Sequence, residues 1–219
     1  MPAPDAPRYT LGEEIASAVT HGIGAALGIA ALAVLVSLAA IRGGGAWAVV
    51  SFSVYGASLV LMFLASTLYH SLVPPRAKRV FRILDHDMIF LVIAGTYTPF
   101  LLLAIRGPWG WSLFGAVWAL AAAGIVFQSL CVGRARWLAT LLYVLLGWLV
   151  LVAVRPLAAA LPPASLRWLL AGGLAYTLGA ALYLLKSLPW HHPVWHLAVL
   201  VGALCHFFSI YLLLPPAAP

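Results

Sequence analysis

His191-His192-Pro193-Val194-Trp195-His196-Leu197-Ala198-Val199-Leu200-Val201-Gly202-Ala203-Leu204-Cys205-His206-Phe207-Phe208-Ser209-Ile210-Tyr211-Leu212-Leu213-Leu214 is the stretch whose reading decides the fold. It is apolar and long enough to cross a bilayer, which takes about 20 helical residues. Yet it carries imidazoles at its start and in its middle. Ionisable groups inside a membrane are costly, face a bundle interior and so mark function. His192 and His196 stand four apart, which puts both on one face of a helix. Two imidazoles at that spacing can grip one metal ion. The alternative is a pair of histidines that only reach for the headgroups.

The rest of the chain repeats the apolar theme. Of 219 residues, 64% are hydrophobic and 8% charged, far from the soluble norm of about half and a quarter. The length suits one domain, and the composition is that of an integral membrane protein. The excess of Lys and Arg (12) over Asp and Glu (5) would suit nucleic acid. Here, however, the cations are scattered through short loops between apolar runs, a pattern that sets membrane topology instead. Cys131 and Cys205 both lie in apolar runs and give no disulfide framework. A polar start (Pro4, Asp5, Arg8, Glu13, Glu14) precedes a first apolar run too long for a signal-peptide core, so no cleavable signal is expected.

Seven apolar segments can be counted, at residues 17–41, 47–69, 88–105, 111–132, 138–154, 168–185 and 194–214. Helices are expected, because they satisfy their own backbone hydrogen bonds in lipid. The expected fold is therefore all-α, with seven transmembrane helices in residues 13–214 and short tails at 1–12 and 215–219. Gly43-Gly44-Gly45, Pro74-Pro75, Gly107-Pro108, Gly133, Pro156, Pro162-Pro163 and Pro189 punctuate the breaks. Trp47, Trp109, Trp111, Trp137, Trp168, Trp190 and Trp195 fall at segment ends, as an aromatic belt requires, whereas Trp118 and Trp148 are mid-span packing residues. Under this topology the N-terminal side carries eight cations: Arg8, Arg76, Lys78, Arg79, Arg82, Arg134, Arg136 and Lys186. The other side carries four: Arg42, Arg106, Arg155 and Arg167. The excess places the N-terminus in the cytoplasm.

That topology sorts the polar residues to one end. Glu13, Glu14, Ser17 and His21 open the first helix there, and Ser66 and His70 close the second. Asp85, His86 and Asp87 open the third, and His191, His192 and His196 open the last. Six of the seven histidines and four of the five acids thus converge near the cytoplasmic face. Scattered structural histidines would have no reason to choose one end.

His70, His192 and His196 make a three-histidine set suited to Zn²⁺ with an open position for water. Ser66 lies one turn before His70 on the same face and can hydrogen-bond a bound group. Asp85 is placed to act as general base, or else pairs with Arg82 at headgroup level. His86 and Asp87 are either partners that orient the ligands or interfacial residues. His21 reads as an orienting partner, with a helix–helix hydrogen bond as its alternative. His206, about 15 Å deeper at 1.5 Å per residue, either lines a cavity or bonds a neighbouring helix. Glu13 and Glu14 also suit the positive end of the first helix. Gly22, Gly24 and Gly28, with Gly172-Gly173, suit close helix packing and not nucleotide phosphates.

Thr20-His21-Gly22, Ser66-Thr67-Leu68-Tyr69-His70-Ser71, Leu84-Asp85-His86, residues 93–100 (Ile-Ala-Gly-Thr-Tyr-Thr-Pro-Phe), Gly147-Trp148, Arg155-Pro156 and Trp195-His196 through His206-Phe207-Phe208 resemble the haemolysin III family. The match runs in order from about Glu13 to Leu214. That family is similar to the progestin and adipoQ receptors, in a wider group with the alkaline ceramidases. The resemblance implies seven helices, a cytoplasmic N-terminus and a zinc ion near the cytoplasmic face. It maps the Ser-x-x-x-His motif onto Ser66 and His70, the acid onto Asp85 and the His-x-x-x-His motif onto His192 and His196. Two departures stand out. Asp87 replaces a more usual small residue, and Pro193 lies inside the His-x-x-x-His stretch. If Pro193 were the first helical residue, His192 would be its cap and His191 could substitute as ligand.

Two function classes follow. One is a zinc-dependent hydrolase of a lipid amide or ester, ceramidase-like, with membrane lipids as partners. The other is a membrane sensor or regulator, or a cytolytic factor, with a structural zinc. A pore is disfavoured, since no helix shows a continuous polar stripe. The expected location is a bacterial cytoplasmic membrane.

Overall fold

The computed structural model describes residues 9–131 and 136–216. Its first helix, α1 (Leu11–Ile41), begins at a capping box. The Thr10 hydroxyl accepts from the Glu13 N–H, and the Glu13 carboxylate accepts the Thr10 N–H at 2.9 Å. Gly43 and Gly45 take φ of 69° and 72° to turn the chain into α2 (Gly45–Ser71), a conformation glycine adopts at no steric cost. Pro75 then opens α3 (Pro75–Pro99) in its first turn, where a missing N–H costs nothing. The helix thus starts well before residue 88, and the basic stretch from Arg76 to Arg82 is helical instead of a loop. Nothing between Pro75 and Met88 breaks a helix. After Pro99 the ladder widens into a π turn, Phe100–Ala104, closed by the Ile105 N–H on the Phe100 carbonyl at 3.2 Å.

The second half comprises α4 (Pro108–Cys131), α5 (Arg136–Trp148), a 3₁₀ stretch (Leu149–Ala153), α6 (Val154–Ala160), α7 (Pro163–Leu184) and α8 (His191–Tyr211). No strand occurs among the described residues. Six stretches among them are long and apolar enough to cross a membrane, α5 through α6 counting as one. By length and composition the expected seven is therefore one too many. Residues 168–184 do lie in a helix of 22 residues, α7, but Arg167, three glycines and two tyrosines dilute its apolar character. Of the expected tails, Leu11 and Gly12 are already helical, while residues 1–8 and 217–219 lie outside the described residues, as do the loop residues 132–135 with Arg134.

The helices close a ring. α1 packs on α2, α2 on α3, α3 on α4 and α5, α5 on α7, α7 on α8, and α8 back on α1. Small residues permit the close approaches: a Cβ at Gly24 would meet the Phe63 ring at 2.6 Å, and one at Gly172 would overlap the His206 ring. Inside lies a largely apolar cavity of about 400 Å³ whose wall includes Val92, Phe100, Trp148, Leu166 and Val199. Trp118 and Trp148 do bond neighbouring helices, through Thr98 at 3.2 Å and Thr177 at 2.9 Å.

The break between α5 and α6 borders this cavity, and Tyr97 of α3 holds it. Its hydroxyl donates toward the Gly147 and Leu146 carbonyls at 2.7 and 3.0 Å and accepts the Val150 N–H at 2.6 Å. Backbone groups without a ladder in lipid need such a partner. Tyr97→Phe is expected to cost roughly 1–3 kcal/mol, since it leaves buried groups unpaired. Unfolding of the purified protein in detergent measures it; an unchanged midpoint would show that the clamp carries no stability.

Candidate metal centre

Four helix ends meet at one end of the ring. The last turns of α2 bring Ser66 and His70, the first turns of α8 bring His192 and His196, α1 brings His21, and α3 brings Asp85. All are buried; His70, His192 and His196 are 5%, 1% and 0% exposed. Helix α8 starts at His191, so Pro193 is its third residue, where the N–H has no acceptor within the helix. His192 is thereby helical and stacks one turn from His196. Trp190, at φ 59°, turns the chain into the helix. His191 instead bonds the Leu188 carbonyl at 3.1 Å and does not replace His192.

The Nε2 atoms of His70 and His192 are 3.1 Å apart, and those of His192 and His196 are 3.0 Å apart. The three residues offer ligand atoms that all lie within 4.8 Å of one another, so they can hold a metal ion. Hydrogen bonding alone does not account for the arrangement. A neutral ring nitrogen offers one proton or one lone pair in its plane, so His192 Nε2 can satisfy only one of its two neighbours. A cation facing three lone pairs satisfies all of them. The spacing is also close to the ~3.3 Å kept by imidazoles at about 2.0–2.1 Å from a tetrahedral zinc.

Around the cluster, His70 Nδ1 lies 2.6 Å from Glu14 Oε2, and Lys78 Nζ lies 2.7 Å from Glu14 Oε1. The Tyr9 hydroxyl is 3.1 Å from His192 Nδ1, and its ring stacks on that imidazole with centroids 4.4 Å apart. Burial pushes the Tyr9 phenol far above its ordinary pKa, so it is a neutral hydroxyl. The His21 ring stacks on His196 with centroids 3.7 Å apart. Neither His21 nitrogen has a hydrogen-bond partner among the described residues, so the alternative helix–helix bond is not seen there, and its contact with the ligand set is the ring stack on His196.

Asp85 is buried with His86, His70 and Ser66 as neighbours. His86 Nδ1 approaches its Oδ2 at 3.3 Å while bonding the Arg82 carbonyl at 2.8 Å. Apart from that His86 contact, Asp85 Oδ2 and Ser66 Oγ make no well-aligned hydrogen bond among the described residues. Asp85 and His21 also line the 400 Å³ cavity. Asp87 stands apart, accepting from Ser129 at 2.6 Å and so joining α3 to α4. His206 does both things expected of it: it lines the cavity, and its Nε2 bonds the Leu169 carbonyl of α7 at 3.2 Å. Sequence reading did not bring Tyr9 or Lys78 to the site, and it placed Glu14 at this face without a partner. Glu13 does serve the helix start, but Glu14 turns inward.

The fold and the cluster define a polytopic helical membrane protein with a buried, metal-competent trihistidine group at one end of its bundle. The chain belongs to the haemolysin III family, whose model, described as Haemolysin-III related, matches residues 9–207. It is 48% identical to Hemolysin-3 of Bacillus cereus over 206 residues, 94% of each chain. It is 45% identical to the Hemolysin-3 homolog of Bacillus subtilis (strain 168) over 202 residues, 92% of this chain and 94% of the relative. Similarity extends, at 27% identity over 173 residues, to the human Monocyte to macrophage differentiation factor, covering 75% of this chain and 71% of that one.

Proposed function

We propose that this chain is a zinc-dependent hydrolase of a membrane lipid amide or ester. The observation that carries the reading is Asp85. A buried carboxylate, with the His86 imidazole 3.3 Å from one oxygen, sits beside the trihistidine group and also forms part of the cavity wall. A structural clamp has no use for such an acid. His70, His192 and His196 would hold the ion, which supplies a Lewis acid that polarises a carbonyl and acidifies water. Asp85 takes a proton from the attacking water and returns one to the departing amine or alcohol. Ser66, one turn from His70, positions the reacting groups by hydrogen bonding. The cavity takes the acyl chain and keeps bulk water away. The test is fatty-acid release from ceramides and other acylated lipids by the zinc-loaded protein in liposomes.

The second reading, a membrane sensor, regulator or cytolytic factor with a structural zinc, has one observation in its favour. The cavity wall holds Asp85 and His21 but none of the three imidazoles.

Seven spans are part of the proposal. Parity supports them: the end of α2 and the starts of α3 and α8 share one face, so the chain crosses an odd number of times between α3 and α8. α4, α5–α6 and α7 supply three crossings, which makes α7 the sixth of seven spans in chain order. The cation excess favours this face and the N-terminus on the cytoplasmic side, and the Bacillus relatives favour a bacterial cytoplasmic membrane. Reporter fusions are expected to place residues 72–74 inside and Pro219 outside. A cytoplasmic C-terminus would remove the seven-span arrangement.

A further inference from the structure

We infer that Glu14, anchored by Lys78, is the positioning residue that makes His70 a metal ligand. The inference rests on the trihistidine reading and goes beyond it by assigning the group behind the ligand. A carboxylate paired with Lys78 is ionised and can only accept hydrogen bonds. At 2.6 Å from Glu14 Oε2, His70 Nδ1 therefore carries the proton, and the lone pair lies on Nε2. Nε2 is the atom that faces His192 at 3.1 Å. One hydrogen bond thus fixes both the tautomer and the plane of the ring, and the adjacent negative charge favours a cation on the far nitrogen.

Lys78 fixes the carboxylate in turn. Its Nζ holds Glu14 Oε1 at 2.7 Å and lies 5.3 Å from the centre of the Tyr69 ring. The three residues come from three helices: Glu14 from α1, His70 from α2 and Lys78 from the basic first turns of α3. Among the described residues, the neutral Tyr9 hydroxyl stands behind His192, at 3.1 Å. His196 Nδ1 has no hydrogen-bond partner among the described residues. His70 is thus the ligand with a charged partner, and the one whose affinity contribution depends most on its support.

The test uses the full-length protein in detergent, stripped of metal, with zinc affinity measured by competition against a chromophoric chelator. Glu14→Gln, which keeps the shape and removes the charge, is expected to bind zinc about 10–100-fold more weakly than wild type. Its metal-free unfolding midpoint is expected to match that of the metal-free wild type. Its Co²⁺-loaded form is expected to show altered visible absorption, because the field of one ligand has changed. Affinity within about twofold of wild type overturns the inference. So does a fall in the metal-free midpoint with unchanged affinity in the folded fraction. If Glu14→Gln does not fold, Glu14→Asp carries the test: it keeps the charge, draws it back by one methylene, and is expected to lose affinity severalfold, with full affinity overturning the inference. His70→Ala separates the two levels. Affinity lost there and kept in Glu14→Gln sinks this inference alone, whereas wild-type affinity in His70→Ala sinks the trihistidine reading and this inference together.

Discussion

Asp85→Asn, reconstituted in liposomes with its zinc in place, is expected to hydrolyse lipid about 10²–10⁴-fold more slowly than the wild type, the usual cost of losing a general base. Asparagine keeps the shape of the side chain and removes only its capacity to take a proton. The three imidazoles do not depend on Asp85 for their convergence, so metal content is expected to stay near wild type. That combination, full zinc with lost turnover, separates the hydrolase from the clamp. Equal activity in the two proteins would end the role assigned to Asp85. A zinc-loaded wild type that released no fatty acid from any lipid in the panel would move the balance to the regulator, whose supporting observation is the absence of the three ligands from the cavity wall.

The second large effect is on the metal itself. Elemental analysis of the purified protein is expected to find about one zinc per chain, as a three-histidine site requires. Alanine at His70, His192 or His196 is expected to remove most of it, because two imidazoles and water make a much weaker site. His86→Ala is the control and is expected to keep zinc, since its Nδ1 is engaged with the Arg82 carbonyl and Asp85. Thermal stability is expected to follow occupancy: an ion at 100 times its dissociation constant adds about 2.7 kcal/mol to the folded state. Full zinc in the triple alanine variant would place the site elsewhere, first at His21, whose ring lies against His196.

The part of the site that follows a helical period was legible from the chain. His192 with His196, and Ser66 with His70, are one turn apart, so their shared faces could be read without coordinates. Their meeting was legible too, because apolar segments alternate direction and put the relevant ends on one face. Glu14 could not be read the same way. An acid in a first helical turn looks like a charge complementing the helix dipole, which Glu13 beside it in effect is, and the partner of Glu14 lies 56 residues away. Tyr9 is farther still from its partner, 183 residues. The early start of α3 was hidden by Arg76, Lys78, Arg79 and Arg82, whose charges end an apolar run without ending a helix. The kink after Trp148 was invisible because Tyr97, the residue that makes it tolerable, belongs to another helix.

The order in which the chain is made gives the trihistidine group a further meaning. Glu14, His70 and Lys78 all belong to the first three helices and can find one another early in synthesis. His192 and His196 are in the final helix, 122 residues after His70 in the case of His192. No nascent chain short of α8 can present these three imidazoles to one ion. An ion held there would tie α1, α2 and α3 to α8. Metal uptake would therefore report that α8 has been made and has found its place beside α1.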